Sequence, residues 1–146
     1  MRLKEGEFLQ SDLSERIRLL SGLVKNIEQT AGESDDSLRE RLTQRVDELA
    51  PDLGTNGAVV AQEVVRFVAR SDIHEELTRL RAHIGHWEEL VEDTAACGRK
   101  LDFLLQEMNR EVNTIGSKAM GAETSKLIVS AKSELEKLRE QVQNVE

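Results

Sequence analysis

The sequence is short of the residues that interrupt helices or crosslink chains. It contains one proline, one cysteine and no tyrosine among 146 residues, and only 3% of its residues are aromatic. A single cysteine, Cys97, excludes an internal disulfide, and we expect its side chain to act as a small, half-buried hydrophobic residue. Because proline is so rare and leucine, glutamate, arginine and glutamine are common, the composition favours helix throughout.

Long hydrophobic runs are also missing. No apolar stretch approaches the length of a membrane span, and the first residues lack the charged and apolar regions of a signal peptide. We therefore expect a cytosolic, cytoplasmic protein. The length suits one domain, and 38% hydrophobic residues are enough for a core that is chiefly aliphatic.

Positive charge is scarce, since 20 basic residues against 28 acidic ones give a net charge of −8. This balance excludes a surface coated for nonspecific nucleic-acid binding. The balance reverses locally, because between Gly98 and Lys118 four basic residues outnumber three acidic ones. An acidic protein can still bind RNA if cations line a groove and divalent metals mask the carboxylates.

Apolar residues recur every three or four positions, which predicts an all-α domain of long antiparallel helices with coiled-coil-like seams. We predict a first helix from near Leu3 to near Thr30, a break at GESDDS, and a second helix that begins at Ser37 with Glu40 as its capping-box partner. The stretch Pro51–Gly57 predicts a loop. A third helix over residues 58–70 is apolar on much of its surface, so we expect it to lie between other helices.

Three further helices complete the prediction. Ser71 or Asp72 can cap the fourth helix, and Gly98 marks the break after it. The segment Gly98–Lys118 reads as an amphipathic helix, and the last helix has a heptad-like rhythm. The seams of the first, fourth, fifth and last helices are Leu9, Leu13, Ile17, Leu20, Val24 and Ile27; Ile73, Leu77, Leu80, Ile84, Trp87 and Val91; Leu101, Leu104, Leu105, Met108, Val112 and Ile115; and Ile128, Ala131, Leu135, Leu138, Val142 and Val145.

The segment Gly98–Lys118 carries more polar chemistry than packing requires. Its run LDFLLQEMNREVNTIGSK resembles the signature of the YicC/YloC-like bacterial endoribonuclease family, and similar blocks occur at RLKEGEFLQSDL, QEVVRFVARSDIHEELTRLRAH and KSELEKLREQVQNVE. The resemblance covers nearly the whole chain. It implies that the chain, residues 1–146, corresponds to the carboxy-terminal half of that family, without the amino-terminal half. It also implies an endoribonuclease that acts on RNA and a ring-like homo-oligomer such as a hexamer.

A polar stripe borders the seam of the fourth helix, where Asp72, Glu76, Arg79, His83 and His86 recur at spacings of three and four. A carboxylate and an imidazole one or two turns apart can bind a divalent metal or move a proton. The alternative is a solvated face with intrahelical ion pairs, which spacing alone favours. With the family resemblance taken into account, the functional site and the solvated face are equally supported.

Glu107 and Glu111, one turn apart, are the leading metal-ligand pair, because Mg²⁺ and Mn²⁺ prefer carboxylate oxygens. A bound metal would activate a water and neutralise the charge that builds on a phosphodiester during cleavage. Alternatively, the two acids pair with Arg110, Lys100 or a neighbouring helix.

The resulting hypothesis is a divalent-metal-dependent endoribonuclease, with Mn²⁺ or Mg²⁺ as cofactor and Glu76, His83, Glu107 and Glu111 as its metal and proton-transfer centre. The candidate RNA contacts are cations that grip phosphate and amides that reach a 2′-hydroxyl or a base edge, namely Arg79, Arg99, Lys100, Asn109, Arg110, Asn113 and Lys118. Glu63 and Asp102 are second-tier acids, and Trp87 is most simply a core residue. One alternative is a noncatalytic oligomerisation or RNA-binding module that needs the amino-terminal region for activity, and a weaker one is an RNA chaperone.

Overall fold

Five helices account for nearly all of the described chain. The computed structural model describes residues 2–53, 57–92, 98–119 and 121–144. The helices are α1 (Arg2–Leu53), α2 (Gly57–Arg70), α3 (His74–Glu92), α4 (Gly98–Lys118) and α5 (Ala122–Gln143). Because these ranges contain no strand, the all-α prediction is confirmed. None of the described helices has a stretch long and apolar enough to cross a membrane.

The first half of α1 forms a four-helix bundle with α3, α4 and α5. Both α1 and α4 pack against α3 and α5, so each helix has two neighbours. Contacts between the helices show that neighbours run antiparallel. The Gln10 amide near the start of α1 donates to the Val91 carbonyl at the end of α3, at 2.8 Å, and the Gln141 amide at the end of α5 donates to Asp12 at 2.6 Å.

The predicted apolar seams meet in the centre of the bundle. Every seam residue that the structure describes is buried there, except Leu9, which is partly buried against the core. Val145 lies outside the described residues. Trp87, Leu80 and Met108 have no exposed surface. Burying an aliphatic or aromatic side chain of this size contributes about 1.5–3 kcal/mol, so these seams are the main stabilising feature of the fold.

The predicted break at GESDDS is wrong, because α1 continues without interruption to Leu53. Ser37 therefore lies within a helix and does not begin one. The apolar spacing passes through the polar stretch, with Ala31 buried and Leu38 and Leu42 half-buried on the following turns. Each serine or aspartate in a helix costs at most about 0.7 kcal/mol, and packing of this continuous apolar face outweighs that cost.

The predicted loop at Pro51–Gly57 overlaps the ends of two helices. Pro51 lies in the last turn of α1, Gly57 begins α2, and residues 54–56 lie outside the described part. A helix of 52 residues is about 78 Å long, more than twice the length of α3, α4 or α5. The second half of α1 therefore extends beyond the bundle, where it packs against α2. We call residues 35–53 and 57–70 together the hairpin.

The expectation that α2 lies between other helices is also wrong. Within the described ranges α2 packs closely on α1 alone, and none of its residues is buried. Val60, Val64 and Val68 are half-buried on one side of α2, whereas Val59 and Val65 are exposed. Val65 lies on the flank of the apolar face that has no partner in the described chain, whereas Val59 lies among polar residues on the opposite face.

Candidate functional site between α3 and α4

The start of α3 is fixed by the aspartate that the sequence offers as a cap. Asp72 Oδ1 accepts a hydrogen bond from the His74 backbone N–H at 2.9 Å. The Ser71 hydroxyl instead donates a hydrogen bond to the Val68 carbonyl in the last turn of α2, at 2.8 Å. Of the two predicted caps, Asp72 is therefore the one used. The cap sets the first turn of α3, and from there Glu76 and Arg79 reach α4.

Charged side chains cross from α3 to α4 along the edge of the core. Arg79 Nε donates to Glu111 Oε1 at 2.8 Å, and Lys118 Nζ donates to Glu76 Oε1 at 2.6 Å. Arg79 also lies 3.6 Å from Glu76 Oε1 and 3.2 Å from Glu75. These groups, together with His83 and Glu107, are called the polar seam below.

The acids of this network are buried and the cations reach solvent. The Glu76 side chain is 4% exposed, whereas that of Arg79 is 45% exposed. Glu111 is buried like Glu76, and Lys118 is partly exposed. One oxygen of Glu76, Oε2, is buried and has no hydrogen-bond partner among the residues that the structure describes. The two carboxylates thus anchor two cations whose remaining N–H groups can bind an anion from solvent.

The network also sets the charge state of its members. Burial raises the pKa of Glu76, but the hydrogen bond from Lys118 and the nearby charge of Arg79 outweigh it, so the pKa lies below its usual value. The hydrogen bond to Glu111 is the main reason why the pKa of Arg79 is raised. At neutral pH Glu76 is therefore an anion and Arg79 a cation.

His83 and Glu107 lie beside this network. On α3, His83 follows Arg79 by one turn; on α4, Glu107 precedes Glu111 by one turn. Since the two helices are antiparallel, both residues lie at the same level of the seam, about 6 Å along the axis from the Arg79–Glu111 pair. His83 is half-buried, and Glu107 lies 3.6 Å from Arg110. No hydrogen bond or ion pair joins either residue to Glu76 or Glu111 in the described ranges.

The four predicted metal ligands do not form a ready-made site. In the part of the chain that the structure describes, no three histidine, cysteine, aspartate or glutamate side chains are grouped so that they could hold a metal ion. Glu76 and Glu111 each use an oxygen to bind a cation of the protein. Carboxylate oxygens are suitable ligands for Mg²⁺ or Mn²⁺. In this structure, however, the two carboxylates bind Arg79 and Lys118. The divalent metal therefore stays a prediction.

The other sequence candidates are dispersed. Five predicted RNA contacts are exposed on α4, and among them Arg110 borders the polar seam through Glu107: Arg99, Lys100, Asn109, Arg110 and Asn113. His86 is exposed, Glu63 pairs with Arg66 on α2, and Asp102 accepts a hydrogen bond from Gln106. Trp87 is a core residue, as predicted. Cys97 lies outside the described residues.

Sequence reasoning missed an exposed aromatic and two cations. Phe103 is exposed on α4, and its position outside the apolar stripe of that helix could have revealed it. Lys132 and Arg139 of α5 line a groove with Gln106 and Asn109 of α4. That groove depends on which helices are neighbours, which the spacing within one helix does not show.

Residues 27–146 match the family described as endoribonuclease YicC-like, C-terminal. The chain belongs to the YicC-like endoribonuclease family. It is 42% identical over 147 residues to a protein of Clostridioides difficile (strain 630) and 35% identical over 146 residues to one of Haemophilus influenzae, both named probable endoribonuclease YicC. The predicted family is thereby confirmed. Each alignment covers 100% of this YicC-like chain and 50% of the relative, so the chain spans about half the length of these proteins.

Proposed function

We propose that this chain is the helical part of an endoribonuclease that cleaves internal phosphodiester bonds of RNA, with the polar seam as its active centre. Two YicC-like relatives named probable endoribonuclease support the reaction class. The observation that supports the location is the Glu76–Arg79–Glu111 contact, in which two buried carboxylates hold one partly exposed guanidinium.

Arg79 and Lys118 would bind the phosphate at the cleaved bond. A guanidinium can bind two phosphate oxygens at once, and an ammonium adds a point charge. Because Glu76 and Glu111 hold the two cations in place before RNA arrives, little reorganisation is needed as negative charge develops on the phosphate. In this proposal Glu76 and Glu111 are positioning residues, and Arg79 and Lys118 contact the substrate.

His83 and Glu107 would move protons in the same seam. An imidazole can accept a proton from the attacking oxygen or donate one to the leaving oxygen. Glu107 lies at the same level of the seam and is not fully buried, since 23% of its side chain is exposed. The proposal includes Mn²⁺ or Mg²⁺ as the predicted cofactor, and the assay below varies the metal ion to test this part of it.

The proposal is tested by incubating the purified chain with end-labelled RNA in Mn²⁺, in Mg²⁺ or in EDTA. The comparison includes the Glu107→Gln variant and, as a control, Glu63→Gln, which changes an exposed acid of α2. We expect internal cuts from the unaltered chain and the control, and loss of cuts from Glu107→Gln with unchanged helicity. Cuts that persist in EDTA would remove the metal from the proposal, and full activity of Glu107→Gln would remove that residue.

A second candidate function is supported by the hairpin. The side of α2 that carries Ala61, Val65 and Ala69 is apolar and exposed, and within the described ranges α2 packs closely on α1 alone. In the second candidate, this side joins copies of the chain into a homo-oligomer, a hexameric ring being the form that the resemblance implies, while the other half of the full-length protein cleaves RNA. A net charge of −8 is easier to reconcile with this role than with RNA binding.

A further inference from the structure

One face of α4 points away from the bundle and carries a row of exposed side chains without an acid. The row recurs at spacings of four and three, which places its members on one helix face. We call it the outer ridge, and it consists of Arg99, Phe103, Gln106, Arg110 and Asn113, all of them exposed. The core seam of α4 is complete without any of them.

Phe103 is the unexpected member of the outer ridge. Its side chain is 60% exposed, in a chain with only three phenylalanines and one tryptophan. Arg99 lies one turn before it and Arg110 two turns after it, at about 6 Å and 10 Å along the helix axis. The exposed aromatic ring thus has a guanidinium group on both sides, and the Arg110 side chain is 73% exposed although it lies 3.6 Å from Glu107.

We infer that Phe103 stacks on an unpaired RNA base and that the outer ridge binds a single-stranded segment of the substrate. The inference rests on the proposed function, because it assumes that this half of the protein binds RNA. Aromatic side chains stack on any base, and arginines bind the phosphates on either side. The amides of Gln106 and Asn113 can reach a base edge or a 2′-hydroxyl.

The groove between α4 and α5 extends this surface. It encloses about 140 Å³ and is lined on its α5 side by Lys132 and Arg139. The ion pairs of α5 among the described residues involve Glu123, Lys126, Glu134 and Lys137, so neither groove cation lies within ion-pair distance of a carboxylate there. The groove also contains Asp102 and Glu136, which would accept base amino groups rather than contact phosphate. The surface therefore complements one strand with accessible bases.

A base inside a duplex is already stacked on both faces, so Phe103 can contribute only to single strands. The experiment measures the affinity of the chain for a labelled oligouridylate and for a labelled RNA duplex by fluorescence anisotropy. The variants are Phe103→Ala, Phe103→Leu and Phe103→Trp. Phe8→Ala is the control, since Phe8 is 73% exposed and lies near the start of α1.

We expect Phe103→Ala and Phe103→Leu to weaken oligouridylate binding by roughly 5- to 140-fold, the range that corresponds to about 1–3 kcal/mol for one stacked base. Phe103→Trp keeps the affinity, Phe8→Ala is unchanged, and duplex binding responds to none of them. Equal affinity of Phe103→Ala and the unaltered chain would overturn the inference, as would equal losses in the tryptophan and alanine variants or no RNA binding at all.

Failure of the stacking role of Phe103 can be distinguished from failure of the proposed active centre. If Phe103→Ala binds RNA normally while Glu107→Gln no longer cleaves it, the stacking role fails and the proposed function stands. If Phe103→Ala loses affinity while the unaltered chain binds RNA without cleaving it, the stacking role stands and the catalytic proposal fails. A change in the mass of the particle in Phe103→Ala would assign the ring to a protein interface and overturn the inference.

Discussion

At Glu76, burial and the neighbouring positive charges shift the pKa in opposite directions. Its folded pKa lies below the ordinary value of 4.5 because Lys118 and Arg79 stabilise the anion. Ionised Glu76 therefore contributes stability above the ordinary pKa, and the contribution is lost as the pH falls through the folded pKa. The polar seam should accordingly weaken in acid, below about pH 4.5.

Glu76→Gln tests this linkage. At neutral pH we expect the variant to be less stable by about 1–2 kcal/mol, because the partly exposed Lys118 loses a hydrogen-bonded ion pair. The difference from the unaltered chain should shrink as the pH is lowered below about 4.5. Urea unfolding at a series of pH values measures it, with Glu63→Gln as an exposed control. A difference that stays constant down to low pH would show that folding leaves the pKa of Glu76 unchanged, contrary to the account.

The sequence predicted the members of the polar seam but not their pairing. Spacing placed Glu76 and Arg79 beside one apolar stripe, and Glu111 and Lys118 beside another. Spacing also allows pairs within one helix, and one of these, Arg79 with Glu75, forms as well. The pairs across the helices depend on the antiparallel register of α3 and α4, which is set by the whole core and which neither helix encodes alone.

At the level of elements, the continuity of α1 has a direct consequence for Gly32. A glycine in a helix interior is less favourable than alanine by roughly 0.5–1 kcal/mol, and a Cβ added at Gly32 would meet nothing within 4 Å. We expect Gly32→Ala to raise the free energy of unfolding by about that amount, as measured by urea titration of the helical circular dichroism signal.

Gly116→Ala is the matched control in α4. A Cβ there would lie 3.1 Å from Ile128 Cγ2, so the Ile128 side chain would have to move by a few tenths of an ångström. The helix propensity gained by alanine is then offset by overpacking, so we expect no gain or a loss of stability. A loss in Gly32→Ala as well would contradict a continuous helix through that position.

The polar stretch of α1 misled the sequence prediction because helix-ending signals are statistical. Serine, aspartate and glycine favour turns, yet each is tolerated at an exposed helical position. What keeps the stretch helical is the packing of its neighbours, from Ala31 within the bundle to Leu38 and Leu42 in the hairpin. Similarly, the apolar surface of α2 predicted burial, but within the described ranges only one helix, α1, packs closely on it.

For the whole molecule, the hairpin is the part whose apolar residues are least covered in the described chain. Val65 on α2 and Val129 on α5 are exposed to nearly the same degree, 68% and 67%. If the free side of α2 joins copies of the chain, Val65→Glu should lower the particle mass in sedimentation velocity, whereas Val129→Glu should leave it unchanged. Both variants should keep the helicity of the bundle. Equal masses for both variants and the unaltered chain would contradict an assembly role of this surface.

The four-helix bundle could be predicted from the sequence, because it is the part of the molecule that the apolar seams form. Four apolar stripes of heptad-like spacing imply a bundle, because each stripe must be buried against others. The hairpin was not predictable in this way, since its helices are apolar on surfaces that the described chain does not bury.

The central claim is that the polar seam binds the phosphate that is cleaved, and Arg79→Ala tests it most directly. The measurement is the single-turnover rate of cleavage of end-labelled RNA by this variant, with helicity confirmed and Arg66→Ala of α2 as the control, because Arg66 is also an exposed, ion-paired arginine. Loss of one positioned donor lowers catalytic rates by about 10²–10³-fold, and we predict a loss of that size for Arg79→Ala and none for Arg66→Ala. A folded Arg79→Ala variant that cleaves RNA as fast as the unaltered chain would contradict the claim.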